Sequence, residues 1–152
     1  MSRIDGTFLK WWHTKLGLAR QSGRSWYCAR LLEEIREVRQ ANTVTERPRE
    51  ISDVFFALSG AHHDGIPIGE VIPLIARRNL VVYAYMIGKY TMRWSFHRTI
   101  AWMCKGDWKE MLEVVNPDKD SKLKVVAELH GIDPEEFKLV AHRLLQMWPL
   151  LP

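Results

Sequence analysis

The segment EISDVFFALSGA, residues 50–61, constrains the fold more than any other stretch of the chain. Wound as a helix at about 100° per residue, it spreads Ile51, Val54, Phe55, Phe56 and Leu58 over most of its circumference. Glu50 and Asp53 are left on an arc shared with Ala57 and Ala61. A helix that is apolar nearly all round is a buried helix. Its two carboxylates must then hold protons, pair with cations or bind a metal, because a bare buried charge is too costly to keep. The small alanines beside them leave room for another helix or a ligand.

A second acidic pair precedes the first. Glu34 and Glu37, like Glu50 and Asp53, are three residues apart, a spacing that puts both members on one helix face. Glu34 falls at the edge of the apolar arc of Tyr27, Leu31 and Val38, with Glu37 toward the flank. Such a pair alone is most often a solvated helix face, so it gains weight from the pair that follows. Four converging carboxylates repel one another, and a hard dication with a preference for oxygen offsets that repulsion. Magnesium, with manganese as the alternative ion, keeps several waters and bridges phosphate oxygens, which points to phosphoanhydride hydrolysis. A di-iron bundle is the rival, but its Glu-x-x-His pairs do not occur in the sequence.

The 152 residues, 47% of them hydrophobic, suffice for a real core. Thr7 is placed to cap a first helix carrying Phe8, Trp11, Trp12, Leu16 and Leu18, which QSGRS at residues 21–25 ends. Ser25 is placed to cap a second, from Trp26 to about Ala41, and NTVTER forms a loop. Pro48 suits the first turn of a third helix, and Gly65 stops it. A long fourth helix is expected from near Pro67 to Trp94, where Gly88 marks a bend or a close helix contact. One or two short amphipathic helices are expected next, then one opened by Asn116-Pro117 and ended by Gly131. Asp133-Pro134-Glu135-Glu136 is a strong start for a last helix holding Phe137, Val140, Leu144 and Met147. No run of strands is visible, so the expected fold class is all-α.

Lys and Arg number 22 against 18 Asp and Glu, a formal +4 that suits an anionic ligand as well as nucleic acid. Cys28 and Cys104 lie in apolar helical stretches with no CxxC spacing, as reduced core residues do. The first residues lack a signal-peptide run, and Leu80 to Gly88 is too short to cross a bilayer. A soluble, cytoplasmic protein is expected. His62 and His63 close the third helix, where its dipole favours them without any catalytic role.

EEIRE at residues 33–37, followed by EISD at 50–53, resembles the ExxE and ExxD signature of the all-α NTP pyrophosphohydrolases. That superfamily includes MazG, the dimeric dUTPases, the dCTP pyrophosphatases and phosphoribosyl-ATP pyrophosphohydrolase. The likeness continues through EISDVFFALSGAHHDGIPIGEVIPLIARRN and covers about residues 8 to 93. It implies a MazG-like bundle of four to five core helices over residues 1–95. Additional C-terminal helices, residues 96–152, would pack on that bundle or at a dimer interface. It further implies a homodimer or dimer of dimers that binds magnesium through Glu34, Glu37, Glu50 and Asp53. An NTP or dNTP would be converted to NMP and pyrophosphate by a metal-activated water, with Glu34 activating it. Arg78 and Asn79 carry over as contacts to phosphate or metal-held water, and Trp12 as a contact to the base. The plain alternatives are a polar face on a long helix for the first two and core packing for Trp12. Neither a membrane nor nucleic acid is an expected partner.

Two other readings compete. One is a non-catalytic helical module for nucleic acid, using ARR, KYTMRW and a helix-turn-helix around HGIDPEE, although the acids of DPEE would face phosphate. The other is a degenerate member of the same superfamily kept for assembly, against which the four intact acids stand.

Overall fold

A computed structural model of the chain describes residues 3–18, 23–66, 68–69, 77–109 and 111–148. These contain helices and connecting segments and no strand, so the fold is all-α. The helices are α1 (Arg3–Leu16), α2 (Gly23–Gln40), α3 (Glu46–His63), α4 (Arg77–Met103), α5 (Asp120–Leu129) and α6 (Pro134–Met147). Two compact units share them. Unit 1 comprises Met1–Lys15 and Arg20–Gly88, and unit 2 comprises Leu16–Ala19 and Lys89–Pro152, so the division falls inside α4.

Several helix ends follow the sequence. Pro48 lies in the first turn of α3, and Gly65 takes φ 74°, a left-handed conformation that glycine adopts without steric cost. Asp133 Oδ1 accepts from the backbone N–H of Glu135 and Glu136 at 3.0 and 2.9 Å, capping α6.

Other ends differ. Thr7 and Ser25 lie inside α1 and α2 rather than capping them, because these helices already begin at Arg3 and Gly23. A further side-chain cap forms in the loop before α3, where Thr43 Oγ1 accepts from Glu46 N at 3.0 Å. Glu46 Oε2 reaches back to Thr43 N at 3.3 Å and Asn42 N at 3.1 Å, completing a reciprocal capping box. α4 runs past Trp94 to Met103, and residues 111–116 are not helical. α5 begins at Asp120 rather than Asn116, since Asn116 Oδ1 accepts from Asp118 N at 3.0 Å in a side-chain turn that competes with helix. A Cβ placed on Gly88 would meet nothing within 4 Å, so among the described residues no helix presses on it. The expected start of α4 near Pro67 lies outside the described residues.

In unit 1, α2 and α3 pack side by side. The core takes Leu9 and Trp12 from α1, Phe55, Leu58 and Ala61 from α3, and Tyr83 and Met86 from α4. Trp12 meets Phe56 edge-on at 6.0 Å between centroids, and Phe55 meets Tyr83 at 4.7 Å. A polar network ties α1, α2 and the end of α3 together. Tyr27 donates to Asp64, whose other oxygen lies 3.0 Å from His63 Nδ1. His63 Nε2 lies 3.3 Å from Thr14 Oγ1, and His13 Nε2 lies 2.9 Å from Ser59 Oγ. Burial and the neighbouring His63 push the His13 pKa down to about 4, against the pull of Asp64.

In unit 2, Phe96, His97, Ile100, Met111, Leu123, Val126 and Phe137 are fully enclosed. His97 lies flat against Phe137, 6.3 Å between centroids, and donates from Nε2 to the Val115 carbonyl at 3.2 Å. Burial lowers its pKa to about 4. Trp94 Nε1 donates to the Leu16 carbonyl at 2.8 Å. Asp120 at the start of α5 takes Lys138 Nζ at 3.3 Å and His142 Nε2 at 3.0 Å, both from α6. Cys28 and Cys104 are free and half-buried rather than core. Among the described residues no helix is long and apolar enough to cross a membrane.

Candidate metal centre

Within α2 the buried side chains are Tyr27 and Glu34, which lie seven residues apart and therefore on one face. Glu34 retains only 1% of its accessible surface. One turn earlier on the same face, Arg30 ion-pairs with Glu34 Oε1 and also with the exposed Glu33 at 2.8 Å. Glu34 Oε2 is sealed from solvent with no hydrogen-bond partner among the described residues. From α3, Glu50 and Asp53 face the same point: each of Glu34, Glu50 and Asp53 has a carboxylate oxygen within 4.8 Å of the others.

Two unit charges 4.8 Å apart repel by about 3 kcal/mol at an effective dielectric constant of about 20. Three such pairs rival the whole stability of a small domain, so the cluster needs a proton, a cationic partner or a metal ion. Burial, opposed by Arg30 and reinforced by Asp53 and Glu37, raises the Glu34 pKa to about 8. Glu37 is half-buried and close enough both to repel Glu34 and to hydrogen-bond its protonated form, but stands outside the set of three mutually close oxygens.

The donor set fits a hard dication. All three groups are carboxylates, and Glu34 Oε2 is an orphaned buried acceptor.

The sequence led one to expect that Glu50 and Asp53 would be the buried acids and Glu34 the marginal one. The structure reverses this. Glu50 and Asp53 are half-buried because they occupy the first two turns of α3, while its fully buried apolar residues begin at Phe55. Glu34 is mid-helix and covered.

Trp12 is 4% exposed and packs edge-on against Phe56, whereas Trp11 is 55% exposed. Asn79 is half-buried in the first turn of α4. Arg78 belongs to the α4 backbone, and its side chain lies outside the described residues. Arg30 was not anticipated; its signal is an arginine four residues before a glutamate. Nor was the Tyr27–Asp64–His63 chain, in which Tyr27 lies 37 residues from Asp64 and carries no local signature.

Compared with protein-family models, curated proteins and solved structures, the chain matches none. What fold and site define together is an all-α protein with a carboxylate cluster shared by two packed helices.

Proposed function

We propose that the protein is a magnesium-dependent nucleoside triphosphate pyrophosphohydrolase of the MazG-like kind, converting an NTP or dNTP to NMP and pyrophosphate. The carrying observation is the meeting of carboxylate oxygens of Glu34, Glu50 and Asp53 within 4.8 Å of one another, with Glu34 buried. Magnesium held there would supply Lewis-acid stabilisation of phosphate oxygens and a more acidic water. Glu34, Glu50 and Asp53 would hold the ion, with Glu37 flanking them. Arg30 neutralises Glu34 Oε1 and fixes its carboxylate plane. By the resemblance to the MazG-like superfamily, Glu34 is the group that would activate the attacking water. Asn79, with Arg78, is assigned to the phosphates.

The same proposal includes a homodimer and a cytoplasmic setting. Leu80, Val81, Ala84, Tyr85 and Gly88 form an exposed, apolar α4 face of the kind that a second copy covers. The free cysteines accord with a reducing compartment.

Purified protein incubated with magnesium and a panel of canonical and modified NTPs and dNTPs should release pyrophosphate. No release from any member overturns the proposal, as does full activity after Glu50→Ala or Asp53→Ala.

A further inference from the structure

Unit 2 carries a groove of about 400 Å³ lined by Trp94, Ser95, Arg98, Thr99, Trp102 and Trp108. Trp94, Arg98 and Trp102 recur every four residues along α4, so one helix face presents indole, guanidinium and indole in succession. Trp108 reaches the groove from beyond the end of that helix. The Arg98 guanidinium lies 4.3 Å from the Trp94 ring centroid and 5.0 Å from that of Trp108, and its Nε donates to the Trp108 carbonyl at 2.8 Å. These contacts fix the plane of the guanidinium while using one of its N–H groups. No carboxylate among the described residues pairs with Arg98, so its terminal N–H fork is preorganised and unspent. Beside it, Trp102 is 62% exposed and Trp108, which carries Arg98 on its ring, is 40% exposed. The Thr99 hydroxyl donates back to the Ser95 carbonyl at 2.8 Å, which leaves its oxygen free to accept.

A fixed guanidinium fork wants a planar or tetrahedral anion, and indole faces want a flat ring. One cation matches one anionic group rather than a polyphosphate or a nucleic-acid strand, which needs a tract of cations. A groove of this size lies in the small-molecule range. We propose that the groove binds a nucleoside monophosphate, its phosphate on the Arg98 fork and its base on the Trp102 ring. The choice of a nucleotide among flat-ringed anions rests on the pyrophosphohydrolase reading, whose product has this form. The affinity for a flat-ringed anion does not.

The test is titration of the full-length protein with AMP and UMP in EDTA, followed by tryptophan fluorescence and calorimetry. Saturable quenching is expected, with Arg98→Gln and Trp102→Ala each weakening binding at least about tenfold. Adenosine, which lacks the anion, and inorganic phosphate, which lacks the ring, should each bind at least about tenfold more weakly than AMP. The proposal is overturned by an absence of saturable binding, by affinities unchanged in both groove variants, or by phosphate binding as tightly as AMP. Phenylacetate binding through Arg98 while neither nucleotide binds overturns the nucleotide assignment. Pyrophosphate release by a protein that ignores AMP would remove the groove proposal and keep the enzymatic one. AMP binding by a protein without hydrolysis does the reverse.

Discussion

At Glu34, burial drives the side chain toward its protonated form while Arg30 draws it toward the charged one, and burial prevails. A folded-state pKa of about 8 against an ordinary value of 4.5 means that the folded protein keeps a proton the unfolded chain has lost over that interval. Metal-free stability should therefore fall as pH rises from about 4.5 to 8. Magnesium has to displace that proton, so its apparent affinity should rise by about tenfold per pH unit approaching pH 8, measurable by calorimetry. Glu34→Gln removes both the charge and the proton exchange. The variant should melt at or above the temperature of the metal-free parent at pH 8, yet gain nothing from magnesium. The parent should gain about 2.7 kcal/mol at an ion concentration 100 times Kd. A magnesium-induced shift that survives in Glu34→Gln would exclude Glu34 as a ligand.

Helices announce themselves through ends and stripes, and here both signals have identifiable limits. Thr43 and Glu46 stitch the start of α3 with two reciprocal hydrogen bonds. Thr43→Ala should cost about 1 kcal/mol in urea unfolding. Glu46→Ala should cost a similar amount, and the double substitution much less than the sum, since either removes the same box. The T-x-x-E spacing in NTVTER marks this cap in the sequence, whereas Thr7 and Ser25 have side chains that suit a cap and positions that are helical. Asp133-Pro134 was legible because cap, first-turn proline and acids coincide in four residues. The extent of α4 was not, because its apolar residues are scattered around the circumference of a helix that serves both units. The convergence of Glu34 with Glu50 and Asp53 was legible from two spacings and a short loop. Which acid is deepest was not, because depth depends on how far along α3 the tight packing begins. The Arg98 groove was missed for a related reason: Trp108 joins it from a non-helical segment.

For the molecule as a whole, pH acts from both sides. His13 and His97 are held neutral with pKa values of about 4, against 6.5 when unfolded. Their contribution is complete above about pH 6.5 and is lost as pH falls toward 4. Glu34 erodes stability in the opposite direction, so the metal-free urea midpoint should peak in mildly acidic solution. Magnesium should move the peak upward by suppressing the alkaline loss. His97→Gln should flatten the acid limb by about 1.4 kcal/mol per pH unit. Assembly is tested at the same scale. Val81 is 70% exposed on the apolar α4 face, and Val81→Lys should convert a dimer to a monomer by light scattering without lowering the monomer's helicity. Unit 2 has a different history from unit 1 during synthesis. It is assembled from Leu16–Ala19 and from a segment that begins at Lys89, and the Trp94 indole is bonded to the Leu16 carbonyl. The ribosome delivers the acceptor long before the donor, and the short strap must wait through the whole of α2 and α3 for its partner. A fragment starting at Lys89 would be born without that strap, so the gene cannot be cut cleanly where the packing divides.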